Sequence, residues 1–299
     1  MGIVTAINST ARNTNKPSYT CRKANNWSTT MNTAQAMYAL SINQTADLIE
    51  VIGPTNSTLV QGNMGTGKTS LLYILAARLP THTPVYVDGT TLIDSADMFM
   101  VKYSDDGKTF HTVPLEDLGL HMPDRPVILL FDELGKMTRS AQLATLRIQL
   151  ERRHGKMTLH PDSIVLSTTN LGSEGVGDLL PAHARNRLTV VTMRKPDNME
   201  WIEWGIDNDI DPALLGFCKE KPELFHSFEQ YENPDENPYI YHPRSARAAF
   251  VTPRSLHKAS HILKKRDVLD SASLTAALIG TIGDRAALDL AAFISLADK

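Results

Sequence analysis

An octapeptide near position 65, Gly62-Asn63-Met64-Gly65-Thr66-Gly67-Lys68-Thr69, fits the spacing G-x-x-x-x-G-K-[ST]. Backbone N–H groups that turn inward around a polyanion leave no room for side chains, and the glycines permit that wrap. The helix that follows points its positive N-terminal end at the same phosphates. Lys68 can reach the β- and γ-phosphates as a point charge, and the Thr69 hydroxyl can ligate Mg²⁺. The flanks agree with this reading. An apolar run, Ser57–Gln61, precedes the loop, and Leu71, Leu72, Ile74, Leu75 and Leu79 recur at helical spacing over Thr69–Leu79.

Four more short apolar runs follow, at Pro84–Asp88, Val127–Asp132, Ser163–Thr168 and Leu188–Thr192. They are β-rich or continuously apolar, as strands covered on both faces are. Helical patterns such as Ser140–Arg153 lie between several of them. The alternation predicts an α/β fold, a phosphate-loop core of five parallel strands with helices on both faces. Between the second and third strands, Met100–Val113 alternates around Asp106-Gly107, which predicts a hairpin. Ahead of the core, Thr33–Val51 has roughly helical spacing and ends at Gly53-Pro54.

The ends of the chain differ in character. Residues 1–30 are rich in Asn, Thr and Ser and read as a loosely ordered arm. Beyond Pro196 the strand signal fades. Trp201 and Trp204 sit three apart on an expected helix, Asn233–Pro243 is rich in Pro and Asn, and Leu256–Lys265, Ser273–Ile282 and Ala286–Ala297 are helical. The chain is therefore expected to divide into an arm at 1–30, an α/β core at 31–195 and a smaller helical lid at 196–299.

The run Val127-Ile128-Leu129-Leu130-Phe131-Asp132-Glu133 ends a buried strand on two carboxylates, which require a positive counterpart. Asp132 is the candidate to hold Mg²⁺ through its water shell, and Glu133 the candidate base for an attacking water. The next strand ends in Ser167-Thr168-Thr169-Asn170. In a parallel sheet these ends share an edge with the phosphate loop, so Asn170 can orient that water. Arg185 and Arg187 stand just before the fifth strand, and either can serve as an arginine finger. Pro253-Arg254 is a further candidate phosphate contact, with Pro243-Arg244 as a competing copy.

Composition excludes other classes. Thirty basic and thirty-three acidic side chains give a net charge of −3, so nothing in the charge favours a nucleic-acid or membrane surface. Cys21 and Cys218 alone cannot build a disulfide framework or a cysteine zinc site, which fits a reducing compartment. No apolar stretch nears the roughly 18 residues of a membrane span. The start lacks a basic stretch followed by an apolar one, so no signal peptide is read there. Ala6 stands where a myristoylation motif needs Ser or Thr. The expected location is the cytoplasm, where sequons such as Asn8-Ser9-Thr10 carry no meaning.

The order of these motifs over roughly residues 33–299 resembles the AAA+ ATPases, and within them the MoxR-type branch. The resemblance rests on GNMGTGKT, VILLFDEL, the helix ending in LERRHGK, STTN, LLPAHARNRL, MEWIEWGI and the late TPRSL. It implies ATP and Mg²⁺ as ligands. In that family Asn170 falls on the polar sensor, Arg187 on the finger and Arg254 on the lid sensor. Here Asn186 precedes Arg187 and Leu188 follows it, where the family has Ser-Arg or Asp-Arg before Phe, which leaves Arg185 as an alternative. Residues 1–30 have no counterpart. Members of the branch look like remodelling or chaperone-like ATPases in rings, usually of six subunits. They often act with a protein carrying a von Willebrand factor A-type domain, whose Asp-x-Ser-x-Ser motif this sequence lacks.

Three other readings compete with this one. A phosphotransferase would need an acceptor pocket and an arginine-bearing lid in the same subunit. A nucleic-acid-directed motor or loader conflicts with the near-neutral charge, since Lys264-Lys265-Arg266 is only a small basic run. A nucleotide-gated scaffold without hydrolysis conflicts with an intact Glu133 and Asn170. ATP is preferred to GTP through the resemblance and the lack of an Asn-Lys-x-Asp motif.

Overall fold

The computed structural model describes residues 38–171, 185–245 and 247–297. The expected arm at 1–30, Cys21, residues 33–37 of the expected first helix and residues 182–184 of the arginine turn lie outside the described residues.

In chain order the elements of the core are α1 (Ile42–Ile52), β1 (Thr58–Gly62), α2 (Ser70–Arg78), β2 (Thr83–Asp88), β3 (Phe99–Tyr103), β4 (Phe110–Pro114), β5 (Val127–Asp132), α3 (Arg139–Glu151), β6 (Arg153–His154), β7 (Met157–Thr158), β8 (Ile164–Asn170) and β9 (Thr189–Thr192). Five strands form one sheet in the order β2-β5-β8-β1-β9. Every pairing in it is parallel. All residues of β1 and β5 are buried, as their continuous apolar runs require, while the edge strands β2 and β9 are partly exposed.

Period-two alternation assigns side chains to the two faces. Ile128 and Leu130 of β5 pack with Val60, Leu71, Leu72, Leu75 and Ile49 on one face. Leu129 and Phe131 pack with Leu59, Val165, Ala141 and Ile148 on the other. Each such side chain, fully buried, contributes roughly 1.5–3 kcal/mol.

Two boundaries depart from expectation. Tyr38–Leu40 is not helical, because Leu40 pairs with Met193 beside the sheet edge. Ser41 then caps α1 in a capping box with Gln44. Helix α3 ends at Glu151, and the RRHGK stretch forms a second short hairpin, β6–β7. The hairpin β3–β4 has Met100 opposite Val113 and turns through Gly107 at φ +68, as its Asp-Gly pair predicts. Met100, Val101, Tyr103 and Phe110 are exposed on it. The two hairpins touch at His154, which stacks on Phe99 with ring centroids 3.5 Å apart and shares a 2.7 Å hydrogen bond with Thr112.

After β9 come helices α4 (Asn198–Asp207), α5 (Pro212–Glu220), α6 (Pro253–Leu263), α7 (Ser271–Ile282) and α8 (Asp284–Ala297). Helix α5 was not anticipated. It helps build a third apolar cluster, in which Trp201, Leu214, Phe217, Leu256, Leu263, Leu278 and Leu290 meet. Tyr239 and Ile240 from the Pro/Asn-rich stretch are buried in the same cluster. A bidentate ion pair, Arg194 to Glu200 at 2.6 Å on both arms, ties the exit of β9 to the first turn of α4. It raises the arginine and lowers the carboxyl from their ordinary ranges. Among the described residues no helix is long and apolar enough to cross a membrane.

Cys218 lies on the buried face of α5, and burial pushes its thiol well above the ordinary range. Iodoacetamide is expected to leave Cys218 unmodified in the folded chain and to alkylate it on unfolding, as read by peptide mass mapping. Rapid native labelling of Cys218 would contradict this packing.

Candidate active site

The register of the sheet brings the sequence candidates to one edge. Gly62 is opposite Asn170, and Asp88 is opposite Asp132, so the phosphate loop and both polar strand ends lie at the C-terminal edge. Met64, Gly65, Gly67, Lys68, Thr69, Asp132, Glu133, Asn170 and Arg254 line one cleft there. Gly62 and Gly65 are required by close approach. A Cβ on Gly62 would lie 2.5 Å from the Met193 carbonyl oxygen, and one on Gly65, at φ +72, would lie 2.8 Å from Thr252 Cβ. Thr66 and Asn63 brace the turn, with Thr66 Oγ1 donating to the Asn63 carbonyl at 3.0 Å.

Lys68 is folded onto its own loop. Its ammonium donates to the carbonyls of Gly62 and Asn63 at 2.9 and 2.8 Å and to Asn170 Oδ1 at 2.8 Å. The Asn170 amide then reaches both Glu133 carboxylate oxygens at 3.5 Å. Glu133 also pairs with Lys136 at 2.8 Å. Its backbone is left-handed, φ 56 and ψ 40, which costs about 1–3 kcal/mol for such a residue. Thr168 Oγ1 holds this turn by accepting from Glu133 N–H at 3.1 Å.

Asp132 is buried and accepts three side-chain hydrogen bonds. The donors are Thr69 Oγ1 at 2.8 Å, Tyr86 at 3.2 Å and Thr168, which makes the closest contact. Burial, then the charges of Asp132 and Asp88, push the Tyr86 phenol up to about 12, so it remains a donor. Sequence reasoning missed the parts that Tyr86, Thr168 and Lys136 play here. Thr168 shares the strand face of Asn170 by period two, which could have flagged it. Tyr86 carries no such signal, because its role depends on β2 lying beside β5.

The residues fit a magnesium–nucleotide complex. Thr69 Oγ1 donates a hydrogen bond to Asp132 at 2.8 Å, which sets a hydroxyl able to ligate Mg²⁺ beside a carboxylate able to hold that ion's water shell. Both are hard oxygen donors.

The helical part reaches the loop directly. Asn63 Nδ2 donates to Ser227 Oγ at 3.1 Å, and Thr252, the N-cap of α6, abuts Gly65. Arg254, in the first turn of α6, thereby lines the cleft. Arg244 instead donates to the Glu232 carbonyl at 3.3 Å. Arg187 is exposed, and Arg185 is half-buried. Both precede Thr189, which is opposite Thr58 at the N-terminal end of β1. Arg187 lines a second cavity at that far edge, about 270 Å³, with Ser57, Gln149 and Thr189. That cavity is larger than the cleft but holds neither a carboxylate nor the phosphate loop, so size does not decide where the chemistry lies.

Residues 58–194 match the model of the ATPase family associated with various cellular activities (AAA). The match covers the five-stranded sheet and its phosphate loop, and it is to this span that the likeness applies. No curated protein matches the chain. Among solved structures, the RuvB Holliday junction branch migration motor of Thermotoga maritima is 14% identical, covers 83% of this chain and 67% of its own, and has a TM-score of 0.40. A point variant of the same RuvB has the same identity and coverage with a TM-score of 0.43. A provisionally assigned ATPase of Cytophaga hutchinsonii is 14% identical, with 84% of both chains covered and a TM-score of 0.41. Likeness at this level carries no argument about what this chain acts on.

Proposed function

We propose that this protein is a MoxR-like AAA+ ATPase that works as a ring, of six subunits by the resemblance, and remodels a protein client. The observation that carries the ATPase reading is the convergence of Lys68, Thr69, Asp132, Glu133 and Asn170 on one cleft at the C-terminal edge of the sheet. A bound Mg²⁺ would supply charge neutralisation between the phosphates. Thr69 and Asp132 would hold it, and Lys68 would leave the carbonyls of Gly62 and Asn63 for the β- and γ-phosphate oxygens. Glu133 accepts the proton of the attacking water, which Asn170 orients. Glu133 is the better base of the two acids because Asp132 already accepts three side-chain hydrogen bonds.

The finger reading is supported by distance. From Thr58 to Gly62 the sheet rises roughly 13 Å at ~3.3 Å per residue, and Arg187 sits before the lower end of that rise. Arg187 therefore serves the nucleotide of an adjoining subunit, and Arg254 senses the nucleotide of its own. Because Arg254 and Thr252 belong to α6, hydrolysis would change the angle between the helical lid (196–299) and the α/β core (31–195). The hairpin β3–β4, with Met100, Val101, Tyr103 and Phe110 exposed, is the surface that faces the ring pore or a client, and a von Willebrand factor A-type domain would come from a separate partner chain.

The testing experiment is phosphate release from Mg²⁺·ATP, with nucleotide affinity measured alongside by calorimetry. Lys68→Ala removes charge-assisted hydrogen bonds worth about 1.5–3 kcal/mol, so affinity should fall about ten- to hundred-fold. An unchanged affinity would exclude Lys68 from the phosphate site. Release of phosphate without any phosphorylated acceptor separates this reading from a phosphotransferase.

A further inference from the structure

Away from the cleft, helix α6 carries two histidines one turn apart. His257 and His261 are four residues apart on the same face, and their Nε2 atoms stand 3.1 Å from each other. Their rings meet edge to face with centroids 4.7 Å apart. His257 is half-buried against the edge of Trp204 from α4, with ring centroids 5.4 Å apart, while His261 is exposed.

The two nitrogens share a hydrogen bond, and once its proton leaves, two imidazoles this close on adjacent turns can chelate one cation. Nitrogens bound to one cation at about 2.0–2.1 Å stand roughly 2.9–3.4 Å apart, from square to tetrahedral geometry. The observed separation lies inside that window. Burial first, then the neighbouring His261 and Lys264, lower the proton affinity of His257. Asp209, the nearby carboxylate, is engaged by Lys264 at 2.6 Å. Among the described residues no third His, Cys, Asp or Glu joins the pair, so water would have to complete the shell of a bound cation.

We propose that His257 and His261 form a surface binding site for a late first-row divalent cation, with Cu²⁺ held most tightly and Ni²⁺ and Zn²⁺ following. Imidazole suits these ions and not Mg²⁺ or Ca²⁺, which take oxygen ligands. A cation bridging adjacent turns stabilises α6, the helix that begins beside Arg254. The site is separate from the nucleotide cleft and does not depend on the ATPase reading.

Trp204 supplies the readout. Titrating the full-length protein with Cu²⁺ at neutral pH should quench the part of the tryptophan fluorescence that comes from Trp204, and Zn²⁺ should give a binding heat and a raised Tm. His257→Gln and His261→Gln should each lose the quench and the Tm shift at concentrations that saturate the wild type, with ATPase activity without added transition metal unchanged. Because His261 is exposed, His261→Gln tests the site without disturbing the fold. Trp204→Phe should remove the optical signal and keep the Zn²⁺ heat. A quench that survives in the double histidine variant, an equal response to Mg²⁺, or no response to Cu²⁺ would overturn the assignment.

Discussion

Glu133→Gln is expected to remove nearly all turnover while leaving nucleotide affinity within about two-fold. A general base contributes about 10²–10⁴ in rate. The amide keeps the shape of the carboxylate but cannot take a proton. The left-handed turn at Glu133 is held by backbone groups and by Thr168 Oγ1, not by the carboxylate, so the variant should keep its fold. Its ion pair with Lys136 is partly exposed and worth little to stability. Steady-state phosphate release and calorimetric binding of ATP separate the two effects. If the variant turns over at the wild-type rate, Glu133 is not the base. The same measurements on Asp132→Asn should differ, with loss of magnesium-dependent affinity, because Thr69, Tyr86 and Thr168 all converge on that carboxylate.

Arg187→Ala should lower turnover by about 10³–10⁵, the range for an arginine finger supplied in trans, equal to roughly 4–7 kcal/mol of barrier. The variant alone should still bind ATP, since Arg187 lies at the far edge of the sheet from its own phosphate loop. A mixing experiment gives the sharper test. A subunit carrying Arg187→Ala keeps Glu133, and a subunit carrying Glu133→Gln keeps Arg187. When the first presents its nucleotide to the second, the site between them is complete, so two inactive proteins should recover activity on mixing. No recovery, together with a rate per subunit that does not change on dilution to monomer, would falsify the trans assignment. Arg185→Ala, measured in parallel, distinguishes the two arginines of the turn.

Much of this molecule was legible because its signals are local. The phosphate loop is a contiguous octapeptide whose glycines answer to close contacts at Gly62 and Gly65. The five strands are contiguous apolar runs, and each appears within a residue or two of where the pattern predicts it. Hairpin β3–β4 follows from one Asp-Gly pair. Where a local signal met a distant partner it lost. The helical spacing from Thr33 did not carry through Leu40, because Leu40 pairs with Met193 across the chain.

Periodicity and turn chemistry act over a few neighbouring positions, so the strand–loop–helix unit, the carboxylate pair at the end of β5 and the helical character beyond Pro196 can be read along the chain. Only the tertiary structure decided the strand order β2-β5-β8-β1-β9, and with it which groups meet. Tyr86 and Thr168 reach Asp132 from two neighbouring strands, Arg254 and not Arg244 enters the cleft, and Arg187 falls at the opposite edge. Those distances depend on how crossovers stack strands that are far apart in the chain, and no pattern along a single strand records its neighbours.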